Sequence, residues 1–164
     1  PTHPYIVIAH THNSPATKTY SVPSWEDLDQ LSGAIQHNPN FADVTNLIFI
    51  TITADGTQYA IMIDNFQAFI DYFYWATTDP SQFNLTLFNK KDDNRLLYYY
   101  GKKVNNIEIP PKIKENSTDK AQDLKYFMQI AESAGLNVFE MDSTFGTFKE
   151  ITVINNQIIK TECK

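Results

Sequence analysis

Residues 46–64, Asn-Leu-Ile-Phe-Ile-Thr-Ile-Thr-Ala-Asp-Gly-Thr-Gln-Tyr-Ala-Ile-Met-Ile-Asp, form two apolar-rich blocks on either side of Asp55-Gly56. Asp-Gly is a strong hairpin signal, because a two-residue type I′ turn needs positive φ at both positions. Such a loop predicts Ile52 opposite Tyr59, Ile50 opposite Ile61 and Ile48 opposite Ile63, all on one core-facing side. Tyr5 to His10 reads as an earlier strand, with Lys18 to Val22 as its hairpin partner across a polar loop.

Helical spacing takes over after each of these hairpins. Ser24 is placed to cap a helix, with Asp27 three residues on as in a capping box, and Trp25, Leu28, Leu31 and Ile35 recur at helical intervals until Asn38-Pro39-Asn40 stops them. Asp64 is placed to cap a second helix with Gln67 three residues later, a stripe of Phe66, Phe69, Ile70 and Phe73, and an end at Asp79-Pro80. Hairpin followed by capped helix thus occurs twice, forty residues apart, as a recurrent architecture without close sequence identity.

A third hairpin is expected from Phe83 to Tyr100, turning at Lys91-Asp92-Asp93-Asn94 with Leu96, Tyr98 and Tyr100 on one face. Residues 101–117, with Gly101, Pro110 and Pro111, suit a connection holding a short edge strand at Val104 to Ile109. A third helix is predicted from Asp119, with Leu124, Phe127, Met128 and Ala131 inward, closing at Gly135. Asn137 to Met141 and Phe148 to Ile154 read as extended. Asn155-Asn156 is a type I′ turn into Gln157 to Glu162, which sets Lys149 opposite Glu162. The faces of this last hairpin mix apolar and polar residues, which puts it near a sheet edge.

These elements predict one α+β domain over residues 1–164, a largely antiparallel sheet of hairpins in the order ββα-ββα-ββ-α-ββ with about three helices on one face. At 164 residues and 42% apolar, with 13% aromatic, the chain has enough apolar surface for a substantial core. It contains no run near the roughly 18 apolar residues that span a bilayer, and no signal-peptide pattern at its start. The only cysteine, Cys163, excludes an intrachain disulfide and suggests a reducing cytoplasm; a chain numbered from Pro1 leaves a removed leader, and so secretion, open. Twelve lysines to one arginine and 14 asparagines read as the drift of an AT-rich genome, which makes the sequons at Asn84 and Asn116 chance matches.

The net charge of −6 is unevenly spread. Seven basic and three acidic residues lie between Lys90 and Lys114, so the remainder carries −10. That balance argues against nucleic acid and allows a charged surface that steers a protein partner.

His10-Thr11-His12 is the sharpest catalytic-looking motif, since alternate residues of a strand put two imidazoles on one side at metal-ligand separation. No third ligand is recognisable. Ser117-Thr118-Asp119-Lys120 matches Ser-x-x-Lys, but its companion motifs are missing and capping explains the same letters. Five scattered glycines leave no phosphate loop, dinucleotide fingerprint or nucleophile elbow, so no cofactor is expected. Glu26, Asp27 and Asp29 gather at the start of the first helix, where the dipole favours them; with Asp64 and Asp71 they form an alternative acidic patch.

Arg95, Tyr98, Tyr99, Tyr100, Lys102 and Lys103 join consecutive tyrosines to cations, and on a strand at least one ring should point outward as a contact residue. They are the expected binding residues of a non-catalytic protein-binding domain. Its size and charge resemble, by analogy alone, a small acidic bacterial inhibitor or immunity-type protein whose partner is another protein, with no nucleic acid and no membrane. Two alternatives stand beside it: a small metal-dependent hydrolase using His10 and His12, and an assembly subunit pairing through the edge hairpin Phe148 to Glu162.

Overall fold

A computed structural model describes residues 6–11, 19–36, 46–76, 99–104 and 107–163. Strand β1 (Ile6–Thr11) leads through helix α1 (Trp25–Gln36) to β2 (Leu47–Ile52), and β3 (Gln58–Ile63) precedes α2 (Phe66–Ala76). The short strands β4 (Lys102–Val104) and β5 (Ile107–Ile109) then come before α3 (Lys120–Ser133), β6 (Leu136–Met141), β7 (Phe148–Ile154) and β8 (Gln157–Glu162). Among the described residues six strands make one sheet in the order β1-β2-β3-β6-β7-β8, while β4 and β5 pair only with each other. The class is α+β, mostly antiparallel.

The core lies on one face of this sheet. Leu47 and Phe49 of β2, Tyr59, Ile61 and Ile63 of β3, Leu136 and Val138 of β6 and Ile151 of β7 are buried in one cluster with residues of α1, α2 and α3. The registers Phe49↔Ile61 and Ile61↔Val138 put these side chains on the same side. Helix α1 starts as the pattern requires: Ser24 N–H donates to Asp27 Oδ2 at 2.6 Å and Asp27 N–H to Ser24 Oγ at 3.3 Å, a reciprocal capping box. Helix α3 is capped by Asp119, whose carboxylate accepts from the Gln122 N–H, and is followed by Gly135 at φ 62. The last hairpin turns on Asn155 and Asn156, both at positive φ, with Lys149 opposite Glu162 as expected.

Three local expectations need correction. The β2–β3 loop holds three residues rather than two: Thr53 N–H donates to Thr57 O and Gly56 N–H to Thr53 O, each at 2.9 Å, with Gly56 at φ 86. Asp55 favours this loop by accepting from the Thr53 hydroxyl at 2.6 Å and the Thr57 N–H at 3.1 Å. The extra residue slips the pairing by one, to Thr51↔Tyr59 and Phe49↔Ile61. Leu47, Phe49 and Thr51 are therefore buried, while Ile48, Ile50 and Ile52 sit half-buried on the opposite face.

Nor does β1 form a hairpin. It runs parallel to β2, with α1 as the crossover, and residues 19–22 are not a strand. Those residues instead lead into the α1 cap: Val22 and Ser24 are buried, and Ser21 O accepts from the Tyr59 hydroxyl at 3.2 Å. The cap of α2 is Asn65, not Asp64, since Asn65 Oδ1 accepts from the Ala68 N–H at 3.0 Å. The buried face of α2 holds Phe69, Tyr72 and Phe73, and Phe66 in the first turn is 43% exposed.

Lys120, at the start of α3, bonds Asp55 Oδ2 at 2.5 Å and ties the β2–β3 turn to the helix. Partial burial pushes the Asp55 carboxyl up, but hydrogen bonds from Lys120, Thr53 and Thr57 outweigh it and hold the group well below its ordinary 3.8. A depressed carboxyl stabilises the fold above its unfolded value and loses that contribution as pH falls below it. Because the pair is largely exposed, the contribution is at most about 1 kcal/mol. Urea unfolding of the native chain and of Asp55→Asn should therefore differ at pH 7 and converge below pH 3.8; an unchanged gap would reject the tie.

Candidate functional site

The β6–β7 ladder is incomplete. Its pairs are Phe139↔Glu150, Glu140↔Lys149 and Met141↔Phe148, so Leu136–Val138 have no partner on β7 and Ile151–Ile154 none on β6. Each strand is fully paired on its other side, to β3 and to β8 respectively. The two strands thus make a fork, closed at the Asp142 end and open at the Leu136 end.

Both ends have identifiable causes. At the closed end, Asp142 Oδ1 accepts from Thr144 N–H at 2.9 Å, Thr144 Oγ1–H at 2.7 Å and Gly146 N–H at 3.0 Å, and Oδ2 from the Thr147 hydroxyl at 2.5 Å. Hydroxyl donation by Thr147 and Thr144, with the Gly146 N–H, holds this carboxyl well below its ordinary 3.8. At the open end, Gly135 O accepts from the Asp64 and Asn65 N–H groups at 2.9 and 3.0 Å, which ties the start of β6 toward the β3–α2 junction. Strand β7 follows β8 instead.

Between the strands lies a groove of about 590 Å³ with α3 as its floor. Met128, Leu136, Val138 and Ile151 give it an apolar lining, and Val153, 40% exposed, stands at its open side. Its charged residues are Asp64, Glu132 and Glu150, all acidic, and none is in an ion pair with a described residue. A second cavity of about 380 Å³, beside Tyr59 and Leu124, differs in this respect. Its charges neutralise one another, Lys120 with Asp55 and Lys160 with Glu140, each pair at 2.5 Å. The fork alone of the two presents uncompensated charge around an apolar floor.

The residues expected to bind fall elsewhere. Arg95 and Tyr98 lie outside the described residues, and Lys102 and Lys103 are in β4. Tyr99 and Tyr100 have helical backbone, not strand, and both are buried, at 2% and 7% exposure. Tyr99 donates to Gln129 Oε1 at 2.9 Å and its carbonyl accepts from the Lys112 and Ile113 N–H groups at 2.8 Å. Tyr100 donates to Pro23 O and meets Tyr20 edge-on at 5.4 Å. Burial pushes the Tyr100 phenol well above 10.0. Both tyrosines anchor the chain to α1 and α3 and present no ring to a partner.

His10 projects from the core side of β1, its Nε2 3.8 Å from Oδ1 of the fully buried Asp27. Thr51, its neighbour in the register, has a buried hydroxyl with no hydrogen-bond partner among the described residues. His12 lies outside those residues, as does most of the hairpin expected at Phe83 to Tyr100. Among the described residues no three His, Cys, Asp or Glu side chains gather as metal ligands. Of the acidic cluster, Glu26 and Asp29 are exposed, whereas Asp27 is engaged in the capping box and with His10. No described helix is long and apolar enough to cross a membrane.

No family model matches the chain, and neither does any curated protein or solved structure.

The fork escapes sequence reasoning because it is a failure of pairing, and pairing is not a property of one strand. A partial signal exists. Val153 and Ile154 end β7 with apolar residues on successive, opposite faces, which is unexpected for a strand covered on one side.

Proposed function

We propose that this chain is a non-catalytic protein-binding domain that takes its partner at the β6–β7 fork. One observation carries the reading: an apolar groove bounded by two unfinished strand edges and three uncompensated carboxylates. Apolar surface supplies affinity on burial, and charge complementarity supplies orientation and on-rate. An acidic inhibitor or immunity-type protein is one form such a domain takes, a version supported only by size and charge.

The test is differential capture from the native source. Val153 is 40% exposed near the end of β7, so Val153→Asp should cost about 1 kcal/mol of stability and leave the chain folded. It places a fourth carboxylate at the groove and should weaken capture at least about tenfold, about 1.4 kcal/mol. Capture that survives Val153→Asp but fails with Lys102→Ala and Lys103→Ala would move the binding surface to the basic stretch and discard the fork.

A further inference from the structure

Resting on that reading, we propose that the fork receives an extended segment of the partner protein, added as a strand between β6 and β7, with alternate apolar side chains toward α3 and Lys or Arg at its ends. The backbone argues first. Among the described residues no ladder completes the strand edges of Leu136–Val138 and Ile151–Ile154 that face the groove, and a strand edge is a template for another extended chain. A helix satisfies its own backbone groups and is about 10 Å across, so it would leave both edges unanswered. An inserted strand answers both, running antiparallel to one and parallel to the other.

The length follows from the edges. Three residues on β6 and four on β7 lack a ladder partner, so an insert pairs over no more than three to four residues, roughly 10–13 Å of extended chain. Side chains alternate across a strand, so every second residue of the insert points at Met128, Leu136, Val138 and Ile151 and must be apolar to bury there.

Charge sets the flanks. Glu150 belongs to the last pair of the ladder, at the closed end, while Asp64 and Glu132 stand at the mouth beside Gly135. Among the described residues no basic side chain lines the groove. Cationic residues at both ends of the insert therefore meet opposite charge, and a segment with acidic flanks meets repulsion on a chain of net charge −6.

The experiment uses the full chain with ¹⁵N labelling and three end-blocked probe peptides: Lys-Val-Ile-Val-Lys, the same peptide N-methylated at its central residue, and Glu-Val-Ile-Val-Glu. Amide exchange at those of Leu136–Val138 and Ile151–Ile154 whose N–H faces the groove, rather than β3 or β8, should slow about tenfold or more with the first peptide at about 1 mM, a concentration suited to a short segment of weak affinity. N-methylation, which removes a backbone donor, should abolish the protection, and glutamate flanks should reduce it severalfold. No protection from the first peptide, or equal protection from its N-methylated form, overturns strand addition. If that happens while Val153→Asp still abolishes capture of the natural partner, the fork remains the binding site with a different occupant. If Val153→Asp leaves capture intact, the protein-binding reading at the fork falls with it.

Discussion

Replacing Phe127 by alanine should cost about 3–5 kcal/mol, among the largest losses any single truncation in this chain produces. Phe127 lies near the middle of α3 with no exposed surface, inside a cluster that includes Phe69 and Phe73 of α2, Phe49 and Ile61 of the sheet, and Leu28 and Leu31 of α1. The penalty has two parts: the ring's transfer back to water in the unfolded chain, and a void that surrounding helices and strands cannot close without leaving their own good rotamers. Total stability of a domain is about 5–15 kcal/mol, so the loss removes between about a fifth of it and all of it. Its midpoint should drop by roughly 10 °C in a thermal melt. Phe66→Ala is the matched control, because that ring is 43% exposed on α2 and its removal should cost only about 1 kcal/mol. Equal losses for the two variants would mean that α3 does not pack as described.

The contrast between these two phenylalanines also marks how far the sequence can be read. Helical periodicity places Leu124, Phe127, Met128 and Ala131 inward, and all four are buried. The same logic puts Phe66 in the stripe of α2 and misses Tyr72, because aromatic residues occupy several faces of this helix and tertiary packing selects among them. The central hairpin departs from expectation in a similar way. Asp55-Gly56 correctly locates a turn, yet two- and three-residue loops share those letters and differ by one residue in register, enough to exchange Ile48, Ile50 and Ile52 for Leu47, Phe49 and Thr51 at the core. Strands that are apolar on both faces carry no alternation to arbitrate. The parallel pairing of β1 with β2 is hidden for a different reason, since it depends on long-range contacts across α1 rather than on any local signal.

Legibility of the site follows the same division. Local chemistry is readable: the Ser24–Asp27 box, the Asn155–Asn156 turn and the Asp119 cap occur where the letters place them. Tyr99 and Tyr100 mislead because an exposed strand tyrosine and a buried helical one read alike in sequence, and only Pro23, Gln129 and Tyr20 as neighbours reveal the difference. The edge position of the last hairpin is visible in its mixed faces; its separation from β6 is not, as it arises where Gly135 ties β6 to the other side.

That junction carries the second large expected effect. Gly135→Ala should destabilise the chain by about 3 kcal/mol or more, for three reasons that act together. The residue has φ 62, a left-handed conformation that costs an L side chain about 1–2 kcal/mol. An added Cβ would lie 2.6 Å from the Asn65 carbonyl oxygen, 2.8 Å from Asn65 Cβ and 3.0 Å from Ala68 Cβ, which are backbone or short side-chain atoms that cannot swing away. Relief therefore requires the start of α2 to retreat, which strains the Asp64 and Asn65 N–H bonds to Gly135 O, each worth about 1 kcal/mol. Gly33 supplies the opposite control. It sits in α1, and a Cβ added there would meet nothing within 4 Å, so Gly33→Ala should stabilise by about 0.5–1 kcal/mol through helix propensity. Denaturant unfolding of both variants checks the signs. Because Gly135 anchors the open end of the fork, amide exchange at Leu136–Val138 should also quicken in Gly135→Ala beyond what the global loss explains; a neutral Gly135→Ala would show that β6 is held in place by something other than this junction.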